Sequence, residues 1–266
     1  MEFGAAPTGL DNARLAATVL LVRNGEDGIE VWAQERVSTM RNYPGVTVFP
    51  GGGVDNRDLP DAWESEALWT GPPLKQLSDR LDLRLPTTHA LVFAAVRELF
   101  EETGTLLAVH ENCADINDAS PYHQDRLDLI SHRISLKEML TRNNLLVRSD
   151  LLRPWARWVG GSDERRWFDT VSFIAVAPRG QDPDGDTSEA DDAGWFSPRL
   201  LLEGWRHGLV RLAIPTWAQL TFLAESGTVR QAMAAAETAD LAPVIGDPVN
   251  DPRYREYFTY RPIDRI

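Results

Sequence analysis

The chain has 266 residues, a hydrophobic share of 43% and a formal net charge of −13 at pH 7. The acidic balance argues against a nucleic-acid polymer as partner, because such proteins need a basic surface, but it allows a small anionic ligand held by local arginines. Cys113 is the one cysteine, so an internal disulfide is excluded and a reducing compartment fits. No apolar run approaches the roughly 20 residues of a membrane helix, and the sequence MEFGAAPTG at the N-terminus lacks signal-peptide features. We therefore expect a cytoplasmic protein without membrane contact, folded as a single domain over 1–266.

The first part of the chain predicts a β-hairpin that leads into a glycine-rich turn. Residues 14–23 and 29–36 are rich in strand-forming residues and flank the turn sequence NGEDG. A short strand at 46–49 then runs into Gly51, Gly52 and Gly53, whose lack of a side chain lets the backbone approach a ligand or a metal closely. A plain tight turn is the alternative interpretation of these glycines.

Two arginines flank this first sheet, Arg36 and Arg41. A guanidinium binds phosphate through two parallel hydrogen bonds, so both are candidates for substrate contact, with ordinary surface arginines as the alternative. Residues 56–86 carry four prolines and two short helical patterns, around 59–69 and 73–82. We interpret this segment as a helical lid or an interface element.

The central feature is the sequence RELFEETG at 97–104, on a helix predicted to span about 88–103 with Thr87 or Thr88 as its N-cap. Helical spacing places Glu98, Glu101 and Glu102 on one face, and Gly104 is expected to end the helix. Crowded carboxylates repel one another and Arg97 supplies only one positive charge, so a hard divalent cation such as magnesium would complete the balance. A solvated acidic helix face is the alternative.

The remainder predicts further strands and helices on both sides of an acidic loop. We expect a strand at 105–109, helices within 120–142 with Ser120 as cap, and a strand at 150–160. A loop followed by a buried strand is expected within 165–178, then a loop at 180–192 and helices at 215–225 and 228–239. Helices and an aromatic tail, at about 198–266, are expected to pack across the domain or a partner subunit. This order of elements favours an α/β/α sandwich on a mixed sheet.

The sequence RELFEETG resembles the second half of the Nudix box, G-x5-E-x7-R-E-U-x-E-E-x-G-U with U aliphatic, and FPGGGVD at 49–55 resembles its first half. Gly52 and Arg97 lie 45 positions apart, whereas the pattern requires 14, so 31 extra residues interrupt the box. Counting back from Arg97, the outer glutamate position falls on His89, so that glutamate is missing or relocated, with Glu64 and Glu66 as candidate replacements. The last U falls on Thr105, a further departure.

An interrupted box of this kind is similar to the peroxisomal coenzyme A diphosphatases and their bacterial relatives. That branch also has a Gln-x-Arg sequence like that of Gln34 and Arg36, and segments like the W-x-x-W at 155–158 and the RRWFDT at 165–170. The resemblance covers about residues 14–223.

The resemblance implies the Nudix fold and a metal-dependent pyrophosphohydrolase that cleaves the diphosphate linkage of a nucleoside diphosphate derivative. Coenzyme A or acyl-CoA is the substrate implied by the branch, with ADP-ribose, NADH or a nucleotide sugar as the alternative. Glu98, Glu101 and Glu102 are assigned to Mg²⁺ or Mn²⁺, with the Gly52 carbonyl as a further ligand. Arg97 orients the glutamates, and Gly51, Gly53, Arg36 and Arg41 face the substrate.

Three questions stay open on the sequence alone. The general base is one of the helix glutamates or Glu189, in the acidic loop, with Asp191 and Asp192 behind it; a solvated turn is the alternative for that loop. A non-catalytic, ligand-binding Nudix-like module is the competing function, although such modules often lose box glutamates that this chain keeps. Dimers are common among such proteins, so a homodimer is also open.

Overall fold

The computed structural model describes residues 7–37, 45–60, 68–161, 167–185 and 190–260. The strands are β1 (Arg14–Gly25), β2 (Gly28–Arg36), β3 (Thr47–Val48), β4 (Gly51–Gly53), β5 (Trp69–Thr70), β6 (Ala108–His110), β7 (Leu145–Arg148), β8 (Leu152–Gly160), β9 (Phe168–Val176), β10 (Ala190–Phe196) and β11 (Val244–Ile245). The α-helices are α1 (Leu74–Leu81), α2 (Leu85–Thr103), α3 (His123–Ile130), α4 (Leu136–Asn143), α5 (Pro198–Arg206), α6 (Ile214–Leu223), α7 (Val229–Glu237) and α8 (Arg255–Thr259). Short 3-10 turns lie at Leu10–Asn12, Asn56–Asp58, Ser120–Tyr122, Ser149–Leu151 and Pro252–Tyr254.

The main sheet is mixed, as the sequence predicts. Its strand order is β10-β2-β1-β9-β8-β11, with β3 beside β2 and β4 beside β1. β1 runs parallel to β9, and β11 runs parallel to β8, whereas the other pairs of this sheet are antiparallel. β5, β7 and β6 form a second, three-stranded sheet.

Two hydrophobic cores cover the two faces of the main sheet. Side chains alternate along a strand, so Leu15, Val19 and Leu21 of β1 pack into the core that contains α2. Leu20 and Val22 of the same strand pack into the core formed with α5, α6 and α7. The predicted α/β/α sandwich on a mixed sheet is therefore confirmed.

Two helices begin differently from the prediction, because the residues expected to cap them do not do so. α2 begins at Leu85 with proline in its first turn and no side-chain cap, so neither Thr87 nor Thr88 caps it. Ser120 lies inside a 3-10 turn rather than capping a helix. Ser135 is a genuine cap, since its hydroxyl accepts from the backbone N–H of Glu138 while the Glu138 carboxylate accepts from the backbone N–H of Ser135.

Within the insertion, the described residues at the ends of the helix predicted at 59–69 are not helical. Trp69 and Thr70 form β5, which pairs in parallel with β7, so part of the predicted helix at 59–69 is a strand. The helix predicted at 73–82 is present as α1. Residues 61–67, which include Glu64 and Glu66, lie outside the described part of the chain.

The boundaries of two other segments differ from the prediction. The strand expected at 105–109 begins only at Ala108, and the end of the loop expected at 180–192 belongs to β10. The aromatic tail packs on the domain, because the Tyr257 ring stacks on Trp205 with centroids 5.6 Å apart and its hydroxyl donates to the Leu212 carbonyl at 3.0 Å. In the described ranges we find no helix with the length and apolarity to span a bilayer.

Candidate active site

The last turns of α2 present the acidic residues of the site. The helix buries its apolar face, including Leu99 and Phe100, against the sheet. It ends at Gly104, whose backbone has a φ of 69° and whose N–H donates to the Phe100 carbonyl. Glycine adopts this left-handed conformation without a steric cost, so the sequence prediction of the helix end is confirmed.

Arg97 is a buried hub that holds two of the helix glutamates. Its Nη1 donates to Glu98 Oε1 at 2.7 Å and lies 3.4 Å from Glu101 Oε2, and its Nη2 donates to the Gly53 carbonyl at 3.1 Å. Only 4% of Arg97 is exposed. Burial lowers the pKa of the guanidinium, but the hydrogen bond to Asp58 and the surrounding carboxylates raise it by more, so Arg97 stays charged.

Asp58 is the partner of Arg97 that sequence reasoning missed. Its two carboxylate oxygens accept from Arg97 Nε at 3.0 Å and from Nη2 at 2.9 Å, and the residue is 1% exposed. The signal was present in the sequence: counting forward from Gly52, as G-x5-E requires, reaches Asp58, whereas counting back from Arg97 reaches His89. The interruption therefore follows Asp58, and an aspartate stands where the pattern has a glutamate.

His89 supports the main chain of Asp58 instead of supplying a carboxylate. Its Nδ1 lies 3.1 Å from the Asp58 carbonyl oxygen, which can only accept, so Nδ1 carries the proton. The ring stacks on Phe93, one turn along α2, with centroids 3.9 Å apart. Burial lowers the pKa of His89 to about 4, which keeps the ring neutral at pH 7.

The glycine strand β4 lies directly against the glutamates. A Cβ placed on Gly52 would lie 2.5 Å from the carboxylate carbon of Glu98, so only glycine allows Glu98 its observed position. Glu102 is anchored from the sheet, because the side-chain amide of Gln34 donates to Glu102 Oε2 at 2.5 Å. The backbone N–H of Gly51 also points to this oxygen, at a longer distance of 3.4 Å.

The charge and donor chemistry of this group fit a divalent cation. Asp58, Glu98 and Glu101 contact one guanidinium, which leaves excess negative charge, and carboxylates are the oxygen ligands that Mg²⁺ and Mn²⁺ prefer. Burial raises the pKa of Glu101 to about 7, with the charge of Glu98 adding to the rise and that of Arg97 opposing it. Within the described ranges, no three His, Cys, Asp or Glu side chains already converge as a metal cluster. The fit thus rests on ligand type and charge.

A cleft opens on the face of the sheet opposite α2, beside Thr18 of β1 and the first half of β9. Its volume is about 450 Å³, and its lining includes the N-terminal turn of α6 and both Arg36 and Gly51. Four aromatic side chains contribute to its wall: Phe49, Trp158, Trp167 and Phe168. Polar side chains lie between them, among them Thr18, Ser172 and Gln219. Such a mixture suits a flat, partly polar group.

The other residues that the sequence predicted for the site lie in different surroundings. Gly53 contributes its carbonyl to Arg97 and lies close to the Arg14 guanidinium. Arg41 and Glu189 lie outside the described residues, as does the side chain of Asp191. Asp192 is described, and its carboxylate accepts from the backbone N–H of Ala193 at the edge of the sheet.

The chain is similar in sequence and in structure to known proteins. No family model matches the chain. The acyl-coenzyme A diphosphatase NUDT19 of Xenopus laevis is 24% identical over the matched region, which covers 79% of this chain and 63% of that protein. The match therefore spans less than two thirds of the relative. A crystal structure of a NUDIX hydrolase from Alicyclobacillus acidocaldarius is 27% identical, with a TM-score of 0.72 over 88% of this chain and 100% of that chain. The chain therefore has the fold of a Nudix hydrolase, and its sequence resembles the coenzyme A diphosphatase-like branch of that superfamily.

Proposed function

We propose that the chain is a metal-dependent pyrophosphohydrolase that cleaves the diphosphate linkage of a nucleoside diphosphate derivative. The observation that carries the proposal is the set of contacts around Arg97, which holds Glu98 against Gly52 of the glycine strand β4 and also contacts Glu101. A structural ion-pair network has no need of glutamates packed against a strand of three glycines. The resemblance to an acyl-CoA diphosphatase makes coenzyme A or acyl-CoA the first substrate to test.

In this proposal each residue of the site has a defined role. Glu98, Glu101 and Glu102 hold Mg²⁺ or Mn²⁺, with the Gly52 carbonyl as a further ligand. The ion, when bound, offsets the charge of the diphosphate and favours ionisation of a water molecule. Arg97 is buried and acts by positioning the glutamates, and one of the helix glutamates or Glu189 takes the proton from water.

The second part of the proposal is that the cleft binds the substrate. Arg36 and Gly51 belong to its lining, and the N–H of Gly51 also faces Glu102, so the cleft begins where the carboxylates end. Arg36 and, by the sequence prediction, Arg41 bind phosphate oxygens. The aromatic wall accepts the base of the nucleoside by stacking, which tolerates several bases and leaves the rest of the substrate to loops.

Turnover on a substrate panel tests the proposal. The panel contains coenzyme A, acetyl-CoA, ADP-ribose, NADH, a diadenosine polyphosphate and a deoxynucleoside triphosphate, each with Mg²⁺ and with Mn²⁺. Glu101→Gln is the test variant. Glu225→Gln is its matched control, because Glu225 is an exposed glutamate after α6.

The expected result is metal-dependent cleavage of coenzyme A to 3′,5′-ADP and phosphopantetheine, lost in E101Q and kept in E225Q. Cleavage of ADP-ribose or NADH alone would keep the chemistry and reject the coenzyme A assignment. Binding of a panel member without any turnover would instead favour a non-catalytic module.

A further inference from the structure

Gln34 stands out as a buried polar side chain with only half of its hydrogen-bonding capacity used. It is 2% exposed, and its Nε2 donates to Glu102 Oε2 at 2.5 Å. Its Oε1 is also buried and accepts no hydrogen bond from the described residues. A buried amide oxygen without a donor loses its solvation and gains no hydrogen bond in return, so such an atom in a native fold calls for an explanation.

The orientation of this amide is fixed by chemistry. If the amide were turned over, Oε1 would lie against Glu102 Oε2, and two acceptors at 2.5 Å would repel each other. Nε2 therefore faces the carboxylate, and Oε1 is fixed on the other branch of the same amide carbon.

The backbone of Gln34 is equally constrained. It lies in β2, opposite Ala193 of β10 on one side and Val48 of β3 on the other. Pairing with both strands fixes the backbone position of Gln34, so its amide can move only by rotation about the side-chain bonds. The hydrogen bond from Nε2 to Glu102 therefore holds the amide beside this carboxylate, with Oε1 on the same amide carbon.

We propose that Gln34 is a positioning residue for the metal centre: its Nε2 orients the Glu102 carboxylate, and its Oε1 accepts a hydrogen bond from a water molecule on the bound cation. This inference rests on the proposed function, since it assigns the residue to the metal site proposed there. A metal-bound water is a strong donor, and loading of the site would have to open space for it beside Oε1, which is closed to solvent in this structure. Gln34 touches neither substrate nor the reacting phosphorus in this assignment.

The test is Mn²⁺ affinity, measured by electron paramagnetic resonance titration on the full chain without substrate. Gln34→Met keeps length and charge but removes both amide atoms, and Gln34→Asn keeps an amide that no longer reaches Glu102. Outer-sphere partners of metal ligands typically change affinity about 10–100-fold, and we expect a loss of that size in both variants. Excess metal should restore part of the lost kcat, while KM for the substrate stays near the wild-type value.

The matched control is Gln181→Met. Gln181 is also buried, but both of its amide atoms bond to main chain: Oε1 accepts from Leu106 N–H at 2.8 Å, and Nε2 donates to the Ile116 carbonyl at 2.8 Å. This variant should lower the melting temperature and leave Mn²⁺ affinity unchanged. The melting temperature of each metal-free variant identifies any protein that has simply failed to fold, and Q34N remains informative if Q34M does so.

Equal Mn²⁺ affinity in folded Q34M, Q34N and wild type would overturn the inference and leave the proposed function intact. Wild-type protein that binds no Mn²⁺ would overturn both. The number of exchanging waters on bound Mn²⁺, from water-proton relaxation, gives a second readout that a packing role would not move. It should rise in Q34M, because the retained water loses its acceptor and exchanges faster.

Discussion

Asp58 and Arg97 lie 39 positions apart in the sequence and form a buried ion pair with two hydrogen bonds, of 3.0 and 2.9 Å. The pair ties the 3-10 turn after β4 to the middle of α2, so the glycine strand and the glutamates share one anchor. The insertion begins after this turn, and the chain then leads back to α2. A long interruption therefore fits inside the motif without disturbing the side chains that the motif brings together.

Removal of the Asp58 charge should destabilise the whole fold. Asp58→Asn leaves a buried guanidinium with one partner less, and breaking a buried pair costs on the order of 3 kcal/mol in free energy of unfolding. Asp55→Asn is the matched control, because Asp55 pairs with Arg57 while 35% of its side chain is exposed, and its loss should cost only about 1 kcal/mol. Urea denaturation measures both, and equal losses in the two variants would contradict this account.

A methyl group at Gly52 should damage activity more than stability. The alanine Cβ would lie 2.5 Å from the Glu98 carboxylate, which is the mobile end of a side chain, so Glu98 would move while the backbone stays. Misplacement of a catalytic group by about 1 Å can cost 10²-fold in rate, so we expect kcat of Gly52→Ala to fall about 10–100-fold.

The control for that change is Gly194→Ala in β10, where the nearest atom to the new Cβ would lie 3.5 Å away in ordinary contact. Both variants should unfold within about 1 kcal/mol of wild type. A Gly52→Ala protein with wild-type kcat would show that Glu98 need not occupy its observed place.

The sequence predicted the core of this site because the chemistry is local there. One helical turn places Glu98 beside Glu101 and Glu102, and Gly104 has few alternatives as a helix end. Asp58 and Gln34 are different, since their roles depend on contacts across 39 and 68 positions. Periodicity does not encode such contacts, although counting forward through the motif would have found Asp58.

The boundaries were predicted less well for a related reason. A threonine before a helix is a good cap on average, yet the proline in the first turn of α2 sets its start three residues earlier than 88. Pairing of β5 with β7 overrides the local helical pattern in the insertion. In both places a tertiary or steric constraint outweighed intrinsic propensity.

His89 should lower the stability of the fold as the pH falls below about 6.5. Its folded pKa of about 4 lies below the ordinary value of 6.5, so between these values the unfolded chain binds a proton that the folded chain does not. Above pH 6.5, His89 therefore does not lower the free energy of unfolding. Below that value the loss of free energy grows as the pH falls, and it reaches at most about 3 kcal/mol near pH 4.

The measurement is the free energy of unfolding in urea at several pH values for wild type and His89→Gln. The difference between the two proteins isolates His89 from the carboxylates that also titrate. The slope between pH 6.5 and 4 should be shallower in H89Q than in the wild type. Parallel curves for wild type and H89Q would contradict the prediction.

Arg126 and Asp184 should couple the end of α2 to the acidic loop. Arg126 is 5% exposed and donates from Nε to the Glu101 carbonyl at 3.0 Å, while Nη1 and Nη2 donate to the Asp184 carboxylate at 2.7 and 2.8 Å. The Asp184 N–H also donates to the Thr103 carbonyl at 2.9 Å. The last turn of the glutamate helix is thus fastened to the loop by side chain and main chain together.

A double-mutant cycle of Arg126→Met and Asp184→Asn measures that coupling in urea. Because 49% of the Asp184 side chain is exposed, solvent screens the pair, and we expect a coupling energy of only about 1 kcal/mol. R126M alone should cost more than D184N alone, since it also leaves the Glu101 carbonyl without this donor. The exposed pair of Lys75 and Asp79 on α1 is the reference, with an expected coupling of about 0.3–0.5 kcal/mol. A coupling no larger than in that reference would mean that the loop is held by its backbone contacts alone, with the Arg126 side chain serving only the end of α2.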